Sequence, residues 1–255
     1  MFDSFDMRKI LTISFPLMII FAGIVLYAYR GTRGKTDIEF RIHINEQVVL
    51  ESAFGESPTF SIWLEDQSTG SKQTVFVTRR VAIGDWEGKA EVPVALPQWF
   101  EVYKIENQTK DLPTFEKPAP MAVTGATPKP GYFITRARVD PGTRWICWIE
   151  VNLSGDYNEY YQEYNQVTKI EDKYGTGQPA LLYKAKFEAV EGAVITPEIF
   201  GMCVPDSPDG NLIQALEGIT TATHIFDEIS IAIVNPSPKI LNTSRFTLPL
   251  RISSE

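Results

Sequence analysis

The chain has 255 residues, of which 44% are apolar and 22% charged, and its net charge is −8. That composition can build a packed core, which excludes wholesale disorder. The acidity repels phosphate backbones and excludes a nucleic-acid partner. The charge is uneven, because Asp3 and Asp6 against Arg8, Lys9, Arg30, Arg33 and Lys35 give residues 1–36 a net +3, leaving −11 for the rest.

Ile10–Tyr29 is a run of twenty residues without a charge. As a helix it spans about 30 Å, the thickness of a bilayer core. The competing reading is a cleaved signal peptide, but Leu26-Tyr27-Ala28-Tyr29-Arg30 offers no small-x-small cleavage site. No cysteine follows the run directly, which excludes a lipid anchor there. Positive charges flank the run on both sides, so charge bias does not orient it. A tail as short as residues 1–9 favours a cytoplasmic N-terminus. The expected order is a tail at 1–9, a transmembrane helix at 10–29, a linker at 30–36 and an extracytoplasmic domain at 37–255.

Strand periodicity dominates after residue 36. Ile38, Phe40, Ile42 and Ile44 alternate with Glu39, Arg41, His43 and Asn45, the pattern of a strand with one wet face. Phe60, Ile62 and Leu64 repeat it, and Val75 with Val77 suggests a third strand. Val92, Val94 and Leu96 suggest a fourth, confined to an edge by Pro93. Pro97 opens a short helix through Tyr103. Residues 107–131 hold five prolines and form a long loop or the seam between two halves. Strands resume at Tyr132–Val139 and Arg144–Asn152. Trp145-Ile146-Cys147-Trp148-Ile149 is apolar on both faces and reads as a central strand. Leu182–Val190, Ile225–Val234 and Phe246–Ile252 follow, with a short helix expected near Asn211–Leu216. Some nine short strands without βαβ units predict an all-β ectodomain, an antiparallel immunoglobulin-like β-sandwich.

Cys147 and Cys203 allow one disulfide, although the apolar setting of Cys147 favours two buried thiols. Asn152, Asp156, Asn158 and Glu159 place four oxygen donors after a central strand, half of what a calcium ion takes. The plainer reading is that Asn and Asp bond their own turn, and Asp206 and Asp209 are read the same way. Tyr157, Tyr160, Tyr161 and Tyr164 crowd the same loop, either as a partner surface or as cover for the end of the sandwich. His43 and His224 have no metal-ligand spacing, and no nucleophile elbow is present. The chain reads as a non-enzyme.

Thr124-Gly125-Ala126-Thr127 resembles the flavin-attachment sequence of extracytoplasmic electron carriers, in which the last threonine is esterified to flavin mononucleotide. Met121 stands where that pattern has an acidic residue, so the segment reads first as a turn into the next strand, with covalent flavin at Thr127 as the alternative. Phe60-Ser61-Ile62-Trp63-Leu64-Glu65-Asp66, the Thr124–Gly131 loop and Ile149–Glu159 resemble a bacterial family of predicted periplasmic proteins, domain of unknown function 2271. Gly177–Tyr183 and Ile219–Ala222 fit as well. The resemblance covers residues 38–234. It implies a periplasmic sandwich found beside flavin-transfer and membrane-reductase proteins, and it adds no mechanism. The expected protein is a membrane-anchored accessory or binding module of a bacterial envelope, associated with a redox system.

Overall fold

The computed structural model describes residues 17–27, 32–84, 95–120, 124–125, 128–203 and 211–236. Two sheets face each other. The first has the order β5-β1-β11-β8, formed by Gly131–Val139, Thr36–Ile44, Phe226–Val234 and Val194–Ile195. The second has the order β10-β9-β7-β6-β2-β3-β4, formed by Leu212–Ile213, Glu198–Cys203, Leu181–Glu188, Arg144–Asn152, Thr59–Asp66, Lys72–Thr78 and Thr124–Gly125. Neighbours are antiparallel except for the two-residue parallel pair of β3 with β4. Each sheet takes strands from both sides of residues 107–131.

The alternation read in the sequence makes the interior. Ile38, Phe40, Ile42 and Ile44 are fully buried, and they meet Phe60, Ile62 and Leu64 of β2 and Cys147, Ile149 and Val151 of β6. Each such side chain contributes about 1.5–3 kcal/mol relative to exposure. On the other face of β1, Arg138 donates to Asp37 at 2.7 Å and Arg136 to Glu39 at 2.7 Å across the β1–β5 register. His43 lies on this wet face, 2.5 Å from Asp227.

Strand β6 lies between β2 and β7, so its second face also needs cover. Helix α3, Pro97–Asn107, supplies it, after two short helices, α1 at Glu46–Glu51 and α2 at Arg79–Ala82. Trp99, Phe100, Val102 and Tyr103 pack with Trp63, Val77 and Leu182 in a second apolar cluster. The helix runs one turn beyond Tyr103 and stops where Gln108 turns left-handed at φ 49°. Its N-terminus begins on Pro97 and has no side-chain cap of its own. Glu150, fully buried on β6, fills that role: its carboxylate accepts from the backbone N–H of Gln98 at 3.0 Å and Trp99 at 2.7 Å. Burial nevertheless pushes this carboxyl up to about 7, against the lowering effect of those bonds and of the Cys203 thiol, which donates at 3.3 Å.

Both cysteines are free and buried. Burial raises both thiols, and the charge of Glu150 raises Cys203 further. The helix expected near Asn211–Leu216 is replaced by the short strand β10. Gly201 on β9 has no side chain, and a Cβ there would stand 2.4 Å from the Ile213 carbonyl, so the 212–213 backbone can lie directly against β9. Val92, Val94 and Phe246–Ile252 lie outside the described residues, as do Asp206 and Asp209. Residues 17–27 are helical, and Leu17, Met18, Ile20, Phe21 and Leu26 are each more than 60% exposed. Among the described residues no helix is long and apolar enough to cross a membrane.

Candidate functional site

The sandwich has two poles. At one lie the start of β1 and the ends of β5 and β11, where Thr36 pairs with Val139 and Asp37 with Val234. Lys35 closes this proximal pole on Asp140 at 2.5 Å, and the turn Asp140–Thr143 leads there into β6. The other pole holds Ile44, Gly131 and Phe226, together with the end of β6 and the start of β7. Residues 153–180 join those last two strands at the distal pole, where Ala53 N–H donates to Gly155 at 2.9 Å. Nine-residue strands separate the poles by about 30 Å.

Within residues 153–180 a hairpin projects. Asp172 N–H donates to Glu163 at 2.8 Å, Tyr164 bridges Glu171, and Asn165 N–H donates to Ile170 at 2.8 Å. The Asn165 carboxamide accepts from Val167 N–H at 3.0 Å and Thr168 N–H at 2.9 Å, the side-chain turn that asparagine favours. Lys169 completes the tip at φ 61°. Val167 is 90% exposed and Ile170 65%, so the fixed tip presents apolar surface to solvent.

The four tyrosines divide. Tyr160 and Tyr164 are exposed. Tyr161 is half-buried, and its hydroxyl donates to the Glu217 carbonyl at 2.9 Å. Tyr157 is half-buried as well. Burial first, then the charges of Asp172 and Glu163, push its phenol up to about 12. The two half-buried rings hold the loop, and the two exposed rings stand with Val167 and Ile170 on its surface.

The four oxygen donors expected near calcium are each placed. The Asn152 amide donates to the carbonyls of Thr176 at 3.2 Å and Gln178 at 3.0 Å. Its oxygen is buried without a hydrogen-bond partner, as is the hydroxyl of Thr176. Asp156 accepts from Thr221 at 2.6 Å and Gln178 at 2.8 Å, while burial raises its carboxyl above the ordinary range. Asn158 accepts from Tyr160 N–H at 2.9 Å and Tyr161 N–H at 2.7 Å, and donates to Gly218 at 2.8 Å and Thr220 at 2.9 Å. Glu159 is exposed. Among the described residues no group of three or more His, Cys, Asp and Glu converges as a metal cluster. Asp156, Asn158, Gln178, Thr220 and Thr221 form one polar latch that ties the hairpin base to residues 217–224. Gln178 is its hub: its amide N–H also reaches Thr221 at 2.5 Å, and its oxygen accepts from Thr220 N–H at 2.6 Å. In the sequence Gln178 stands only as one position of the Gly177–Tyr183 segment, a polar residue among Gly177, Pro179 and Ala180 with nothing to mark it as a hub.

A second feature not read from the sequence is a cation held between rings on the outer face of the larger sheet. Lys184 lies 4.3 Å from the Trp148 ring centre and 4.2 Å from that of Phe200, and desolvation lowers its pKa. Thr127 lies outside the described residues. Compared with protein-family models, with curated proteins and with solved structures, the chain matches none.

Proposed function

We propose that this chain is a membrane-anchored, extracytoplasmic accessory module of a bacterial envelope. Its sandwich is immunoglobulin-like in the broad sense, and its distal hairpin binds a protein partner of an envelope redox system. The observation that carries the reading is the separation of the poles. The chain that follows the apolar N-terminal run enters the sandwich at the proximal pole, while the hairpin loop with exposed Tyr160, Tyr164, Val167 and Ile170 stands at the distal one. Exposed tyrosines offer large contact area at low entropy cost. The outward apolar side chains of residues 17–27 support insertion of that segment into lipid. The resemblance to the periplasmic family supports the redox setting.

A photo-reactive residue at Val167, compared with one at Val190 of the proximal pole, tests the partner surface in native membranes. The expected result is a discrete protein adduct from position 167 that is lost with Tyr160→Ala and Tyr164→Ala, and none from position 190. Equal adducts from both positions, or none from 167, would overturn the reading.

A further inference from the structure

The tip of the distal hairpin is apolar, and acids surround it. Glu159 and Glu163 precede the tip, Glu171 follows it, and all three are exposed. Glu171 bridges Tyr164 across the hairpin and Glu163 adjoins it, so acids stand beside and across from an exposed tyrosine. Two neighbouring segments extend this rim. A Cβ on Gly155 or Gly175 would stand 2.8 or 2.9 Å from the Phe54 ring, so the segment after α1 lies against the hairpin base. That brings exposed Glu46 and Glu51 of α1 to the same pole. A Cβ on Gly218 would stand 2.4 Å from the Tyr160 ring, and Glu217 beside it is exposed.

These six acids lack counter-charges. Among the described residues none of them takes part in an ion pair. At the proximal pole and on the wet face of the smaller sheet the acids are paired: Asp140 with Lys35, Glu188 with Arg144, Glu39 with Arg136 and Asp37 with Arg138. Residues 153–180 offer only Lys169 and Lys173 in return. The distal pole therefore carries an excess of negative charge around an apolar centre.

Resting on the partner reading above, we infer that the hairpin docks on a cationic protein face with an apolar recess. Val167 fills the recess, and the acidic rim selects the partner. A polar rim around an apolar centre is the common anatomy of a protein contact. Rim charges govern which partners approach and how fast, more than how tightly they stay. Like charges facing across a contact disfavour an acidic partner. An anionic lipid surface repels the same rim, so charge decides against a membrane as the occupant.

The photo-reactive residue at Val167 of the full-length chain in native membranes tests this through salt. Raising salt from about 0.02 M to about 0.5 M shortens the screening length from roughly 20 Å to roughly 4 Å. The expected result is a protein adduct whose yield falls at least about fivefold over that range. Glu163→Gln with Glu171→Gln, two exposed positions, should lower the low-salt yield at least about threefold and flatten the salt response. Glu191→Gln at the proximal pole should change neither. Docking through apolar contact alone holds its yield in salt. A protein adduct of constant yield across the range, or the native salt response in the double variant, would overturn the cationic face and leave the partner surface in place. An adduct to lipid in place of protein, or none at any salt, would overturn both.

Discussion

At the scale of single residues, Glu150 ties chemistry to stability most directly. It is a charged side chain on the second face of a central strand, fully buried, holding the N-terminus of α3. Its pKa rises from 4.5 to about 7 on folding. Between those values the folded chain keeps a proton that the unfolded chain has shed, so this residue's contribution is fully present below about pH 4.5. It is lost as pH rises through 7, by up to roughly 3 kcal/mol. Urea unfolding across this window should show that decline in the native chain and a flatter profile in Glu150→Gln. A native profile that rises with pH in parallel with the variant would show that the helix N-terminus compensates the buried charge. The cue for this residue stood in the sequence as an acid following Trp145–Ile149. Its partner did not, because Pro97 and Glu150 meet only once α3 folds over the sheet.

At the scale of elements, strands were legible wherever one face is wet. Alternation over 38–44 fixed both the strand and its inward face, and the two-sided apolar run of β6 marked a central strand. Ile149 is fully buried there between β2 and β7. Ile149→Ala should cost about 2–5 kcal/mol in equilibrium unfolding, whereas a loss near 0.5 kcal/mol, the level of a surface change, would contradict the central position. Short elements were not legible. Helix α1 depends on the Asn45 side chain, which accepts from Gln47 and Val48. β10 depends on the absent side chain of Gly201. Neither cue has a period. The distal latch is of the same kind, since Asp156, Gln178 and Thr221 are distant in sequence. Replacing Asp156 with Ala leaves the Gln178 and Thr221 donors without their acceptor, a loss of about 1–3 kcal/mol. Limited proteolysis should then cut residues 153–180 faster than the native chain while sparing the strands. Unchanged cleavage would show that Asn158 and the Tyr161 hydroxyl hold the loop by themselves.

For the whole molecule, strand pairing was the least legible feature. β1 lies between β5 and β11, and β6 between β2 and β7, and such partners are chosen by packing over long separations rather than by local pattern. The pairing sets the polarity of the domain, with the start of β1 at one pole and the exposed hairpin at the other. In the proposed anchored binding module, that polarity would hold the hairpin away from the membrane. Its most direct test is Val167→Cys labelled with a membrane-impermeant maleimide in intact spheroplasts. Cys147 and Cys203 are buried, so the tip thiol reports alone in the folded protein. The expected result is full labelling without lysis on a chain that stays with the membrane pellet in high salt. Labelling that appears only after lysis, or a soluble form beginning near residue 30, would contradict the account.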